Sequence, residues 1–124
     1  MSRSAKIAVG IVAGLHVGFA LAEMLAWETL IPLLKIYDPD LAKATSPVGR
    51  NMGLYNGIMA AILFWILSAT RMNASDLRSL TSLVLICVVI AGIFGGISIK
   101  WTIPIFQSVP ALVALVLVRR GGPI

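Results

Sequence analysis

Glu23 stands inside a long apolar run, Lys6 to Trp27, with His16 seven residues before it and Trp27 four residues after it. A carboxyl and an imidazole are the side chains best suited to exchanging protons or holding a cation near neutral pH. Burying either in lipid is costly, so an ionisable residue at that depth points to a functional site. Seven residues are close to two helical turns. His16, Glu23 and Trp27 therefore share a face, with the first two about 10 Å apart along the axis. That gap is too long for both groups to act on one small reacting centre. It suits a long substrate lying between them, or one group acting alone.

Other polar residues recur at a matching depth. Asn56 lies little more than one turn inside a second apolar run, Gln107 does the same in a fourth, and Ser98 falls near that level in a third. Asn51 and Tyr55 lie just above this layer, and His16 lies beneath it. Pro110 and Pro104 each lack a backbone donor, which leaves the Phe106 and Lys100 carbonyls without their usual helical partners. Freed carbonyls in a membrane need a neighbour, water or a ligand. The expected site is a small polar chamber formed by Glu23, His16, Trp27, Asn51, Tyr55, Asn56 and Gln107. The same residues also admit a purely structural role. Asn56 or Tyr55 would then bond Glu23, and each interhelical bond would contribute about 0.6 kcal/mol.

The elements that must position these groups follow from composition. Of 124 residues, 59% are hydrophobic and 12% are charged, too few charges to cover a soluble domain of this length. Four runs approach the roughly 20 apolar residues that a span requires, at about residues 6–27, 51–70, 79–99 and 101–118. The expected fold is all-α, a single four-helix transmembrane bundle over residues 1–124, with an outer loop over 28–50. Residues 30–37 of that loop suit a short amphipathic piece in the interface. Arg3, Lys6 and the Ala20-Leu21-Ala22 box resemble a secretory leader, but the apolar run continues past the box, so the run is expected to stay as a span.

The net charge of +5 does not form a basic stripe with interleaved aromatics, so no nucleic acid is expected as a partner. The basic residues sit at the ends of runs and read as headgroup anchors. With four spans, Arg3, Lys6, Arg71, Arg78, Arg119 and Arg120 share one side, against Lys35, Lys43, Arg50 and Lys100 on the other. This bias places both termini in the cytoplasm and the chain in the cell's inner, cytoplasmic membrane as a multi-pass protein. Cys87 is alone and mid-span, a small apolar filler. One His, one Glu and no useful Cys make a thin ligand set, so no metal and no cofactor are expected. No nucleophile–base pair, phosphate loop or dinucleotide fingerprint occurs, and no catalytic residue is assigned.

Small residues recur every four positions: Gly10, Gly14 and Gly18 in span one, Gly53 and Gly57 in span two, and Gly92 and Gly96 in span three. Helices in lipid associate through close backbone approach, so these seams predict tight packing. The Gly10/Gly14/Gly18 seam lies opposite the His16/Glu23 face. Span one then needs partners on two sides, and a second copy of the chain is the expected partner along the glycine seam, with membrane lipids around both.

Four segments carry a resemblance. Glu23-Met24-x-x-Trp27, Asn51-x-Gly53-Leu54-Tyr55-Asn56-Gly57, Val89-Ile90-Ala91-Gly92-Ile93-x-Gly95 and Gln107-x-x-Pro110-Ala111-Leu112 resemble a family of small bacterial membrane proteins catalogued as domain of unknown function thirteen-oh-four. The likeness runs from His16 to Leu117, and Met52 stands where the family pattern carries Gln. It implies a four-span protein and marks His16, Glu23, Trp27, Asn51, Tyr55, Asn56 and Gln107. It supplies no reaction. Three roles follow: binding or transport of a small molecule or ion at Glu23; a membrane enzyme acting on a lipid or isoprenoid through Glu23 and His16; or an accessory subunit of a larger complex. The first accounts best for a carboxyl placed among neutral polar groups.

Overall fold

The computed structural model describes residues 1–121, and among them every regular element is a helix. These are α1 (Arg3–Leu25), α2 (Trp27–Leu33), α3 (Pro39–Ala44), α4 (Ser46–Ser68), α5 (Ala74–Ser98), α6 (Ile103–Phe106) and α7 (Ser108–Arg120). Helices α1, α4 and α5, and the broken α6–α7 pair, are long and apolar enough to cross a membrane. The fold is the expected four-helix transmembrane bundle.

Local chemistry sets the helix starts. Ser2 Oγ accepts the Ala5 N–H at 3.2 Å and opens α1. Asn73 Oδ1 accepts the Asp76 N–H at 2.8 Å while its Nδ2 donates to Asp76 Oδ2 at 2.7 Å, a reciprocal cap for α5. Asp38 caps α3, with Pro39 as its first residue.

Several boundaries differ from the sequence reading. The outer loop expected over 28–50 contains α2, α3 and the first turn of α4. Hydropathy marks only the length embedded in lipid, whereas a helix runs on until its hydrogen bonding fails. For the same reason α5 begins at Ala74, ahead of the apolar run expected over 79–99. α1 ends earlier than expected because Ala26 leaves helical geometry at φ −134°, ψ 19°. Trp27 thus begins a new helix and does not continue the Glu23 face. The piece expected over 30–37 is helical only to Leu33, the end of α2, and Lys35, at a φ of 54°, turns the chain beyond it.

The fourth span breaks at Gln107, between α6 and α7. The break places Pro104 and Pro110 in first turns, where a missing N–H costs little. The Lys100 carbonyl is not free, since it accepts the Ile103 N–H at 3.0 Å. None of the backbone bonds across the break reaches the Phe106 carbonyl.

The helices form a curved row. α1 lies at its centre against α4 on one side and α7 on the other, and α5 packs on α6 and α7. α4 and α5, linked by the short segment 69–73, barely touch. The apolar core fills the half nearest the termini, with Val9, Val12, Leu63, Leu85, Val88 and Val118. The other half is capped by a small cluster of Trp27, Ile31 and Ala42. Between core and cap the bundle is hollow.

Candidate functional site

A cavity of about 590 Å³ occupies that hollow half, a size suited to a small-molecule ligand. α1 contributes Phe19, Ala22 and Glu23; α2 roofs it with Trp27, Leu30, Ile31 and Leu34. α4 supplies Met52, Tyr55 and Asn56, and α5 supplies Ala91, Phe94, Gly95 and Ser98. Lys100, Thr102, Ile103, Phe106 and Gln107 complete the wall from the fourth span and its connection. The cavity is only partly enclosed, and α4 and α5, which both line it, barely touch each other.

Glu23 is the acidic residue of the lining. Asn56 Nδ2 donates to Glu23 Oε2 at 2.7 Å, and no other hydrogen bond to this carboxyl occurs among the described residues. The close approach of α4 to α1 makes this bond. A Cβ on Gly53 would stand 2.9 Å from the Ala20 carbonyl oxygen and 2.5 Å from Met24 Cγ, so only glycine lets the backbones meet. Asn56 lies one turn further along the same helix.

Trp27 also lines the cavity, although the helix break removes it from the face of α1. Its Nε1–H donates to Thr45 Oγ1 at 3.1 Å, which leaves the ring as the group offered to the cavity. The ring rests on Gly49, where a Cβ would overlap the indole. Gly49 lay within the expected loop, so its part in fixing Trp27 was not foreseen. The signal was a glycine close to Pro47, which lies in the first turn of α4.

Gln107 and Ser98 line the cavity beside Asn56 and Glu23, so the four members of the expected polar layer meet in one chamber. Ser98 Oγ donates back to the Phe94 carbonyl at 2.7 Å. The side-chain amide of Gln107 has no hydrogen-bond partner among the described residues. Its position depends on α5 and α7 packing through Gly92, where a Cβ would collide with Ser108 Oγ and lie 3.1 Å from Gln107 Cβ. Ser108 Oγ donates to the Val89 carbonyl at 2.9 Å and locks this contact. Gly96 accommodates Pro104 in the same seam.

Two expected site residues fall elsewhere. Asn51 is exposed on α4 and does not line the cavity. His16 is 2% exposed, and its Nδ1 bonds the Val12 carbonyl at 2.8 Å. The Phe19 ring stands edge-on to His16, 5.6 Å between centroids, and forms the cavity floor above it. A helical wheel gives the shared face but not the level at which neighbouring helices close over it.

Lys100 was read only as an interfacial anchor, yet it lines the cavity and its Nζ donates to the Leu34 carbonyl at the end of α2. The bond ties the roof to the α5–α6 connection. Among the described residues no three of His, Cys, Asp and Glu gather to hold a metal ion.

The glycines of α1 behave differently from those of α4 and α5. A Cβ on Gly14 or Gly18 meets nothing within 4 Å, and on Gly10 it would make an ordinary contact with Leu67 at 3.8 Å. Gly57 likewise leaves 3.8 Å to Ala20 Cβ.

Fold and site together define a small multi-pass membrane protein with a half-open cavity around one carboxyl. The chain belongs to the family described as "Protein of unknown function (DUF1304)", whose model matches residues 10–119. No curated protein and no solved structure matches it.

Proposed function

We propose that the protein binds a small amphiphilic molecule in the cavity around Glu23, admitted from the lipid between α4 and α5, and that this binding serves transport. The observation that carries this reading is one chamber that joins Glu23, Asn56 and Gln107 to a mostly apolar wall. Few polar groups in a concave apolar site fix a ligand's orientation, while the wall supplies most of its affinity. A purely structural Glu23–Asn56 bond needs no cavity beside it. An acid–base pair of Glu23 with His16 has less support, since Phe19 lies between the imidazole and the chamber.

Orientation and assembly complete the proposal. The bias in Lys and Arg supports cytoplasmic termini in the inner membrane, which puts the cavity in the outer half. A second copy against the open Gly14/Gly18 face of α1 is the proposed partner.

Equilibrium binding to the protein in phosphatidylcholine nanodiscs tests the cavity. The probes are tetraphenylphosphonium, tetraphenylborate and uncharged tetraphenylsilane, with empty nanodiscs subtracted. At least one is expected to bind saturably, and Ala91→Trp, which fills the chamber from α5, is expected to abolish that binding. No saturable binding, or equal binding by Ala91→Trp, would remove the proposal.

A further inference from the structure

Resting on the reading of this cavity as a binding site, we propose that its ligand is an amphiphilic organic cation. Its charge pairs with Glu23, and its apolar body lies among aromatic rings.

The lining is selective in charge. Glu23 and Lys100 are its charged side chains, and Tyr55 is its other ionisable group. The Lys100 ammonium is engaged with the Leu34 carbonyl at the roof. Asn56 engages one oxygen of Glu23, which leaves the second with no partner among the described residues. The remaining neighbours of the carboxyl are uncharged: α2 brings Trp27 and apolar residues, α4 brings Asn56 and Tyr55, and the α6–α7 break brings Gln107. A carboxyl removed from water either takes up a proton or needs an opposite charge close by, and Lys100, held at the roof by the Leu34 carbonyl, makes no ion pair among the described residues that would provide one. A bound cation does.

The walls suit the same ligand. Phe19, Trp27, Tyr55, Phe94 and Phe106 line the cavity, five of the nine aromatic residues in the chain. Aromatic faces attract cations, most strongly where water is excluded. The Gln107 side-chain amide adds an acceptor and no fixed positive charge. An anionic amphiphile would place like charge against Glu23 in a poorly screened space. The side opening explains the need for an apolar body, because entry between α4 and α5 passes through lipid.

Charge-resolved binding in the same nanodiscs tests this inference. Tetraphenylphosphonium and tetraphenylborate share size and shape and differ in sign. The cation is expected to bind at least about tenfold more tightly, the scale of one desolvated charge contact. Glu23→Gln keeps the side-chain shape and an acceptor for Asn56. It is expected to weaken the cation by about tenfold or more and to leave tetraphenylsilane within about twofold. Phe94→Leu, at an exposed position, is expected to weaken the cation about threefold. Protons compete with the cation for the carboxylate, so wild-type affinity for the phosphonium falls as pH is lowered, a readout that needs no variant to fold. Equal or tighter binding of tetraphenylborate, or a phosphonium affinity indifferent to both Glu23→Gln and pH, overturns the inference. If tetraphenylborate or tetraphenylsilane binds and Ala91→Trp blocks it, the cavity stands as a site and only the cationic class falls. If no probe binds in a manner that Ala91→Trp disturbs, both fall.

Discussion

Asn56 holds Glu23 across the α1–α4 contact, Nδ2 to Oε2 at 2.7 Å, between residues 33 apart in sequence. The bond fixes the carboxyl at the wall of the cavity without filling its coordination. Its strength is measurable by a double-mutant cycle of Glu23→Met, Asn56→Leu and the pair, each of which removes the bond, unfolded reversibly in mixed micelles. Interhelical bonds in membrane proteins average about 0.6 kcal/mol and reach about 1.7. A coupling at the upper end is expected if the carboxyl is ionised, since a charged acceptor strengthens the bond. A coupling near zero would mean that the two side chains do not depend on each other.

The indole of Trp27 leans on Gly49, and its N–H is engaged with Thr45. Gly49→Ala is expected to push the ring into the cavity and destabilise the protein by about 1–3 kcal/mol, the usual cost of overpacking. The emission of Trp27, read in a Trp65→Phe/Trp101→Phe background, should shift with it. An unchanged spectrum at wild-type stability would contradict the contact.

Glycines on opposite sides of the bundle should respond with opposite sign. Gly92→Ala drives a methyl group into Ser108 and displaces Gln107, so a loss of about 1–3 kcal/mol is expected, together with weaker probe binding. Gly18→Ala meets no atom of its own chain within 4 Å. In an isolated monomer it is expected to stabilise α1 by about 0.5–1 kcal/mol, through reduced backbone freedom in the unfolded state. If a second copy packs on that face, Gly14→Leu should shift the oligomer towards monomer in sedimentation in detergent. The absence of any such shift would remove the dimer.

His16 is a buried group beneath the floor of the cavity. His16→Leu loses the bond to the Val12 carbonyl, at a cost of about 0.5–1.5 kcal/mol. Probe affinity should stay within about twofold of wild type, the range of a change that does not touch the ligand. A large loss of binding at wild-type stability would return His16 to the site and revive the acid–base reading.

Lys100 and the Leu34 carbonyl join the roof to the opposite wall. Lys100→Met retains most of the side-chain volume and removes the donor. Amide exchange in α2 is expected to quicken by about tenfold, the loss of roughly one charge-assisted bond. Exchange in α7, remote from the tie, should not change.

The sequence alone determined the four spans, because lipid demands apolar runs of fixed length wherever a chain crosses it. It also placed Glu23, Asn56, Ser98 and Gln107 near one depth, since rise per residue is a local property of a helix. Tertiary structure decided which of these groups share a space. Trp27 joins the site from another helix because α1 breaks at Ala26, and a wheel cannot be continued through a break. His16 is shut out by Phe19, and Asn51 faces outward, although the family resemblance marks both. The proline effects were local, but the break at Gln107 moved both prolines into first turns and gave the Lys100 carbonyl a partner in the Ile103 N–H. The hollow itself comes from α4 and α5 failing to close on each other. That depends on how four helices pack around α1, a relation between distant residues that neither hydropathy nor periodicity encodes.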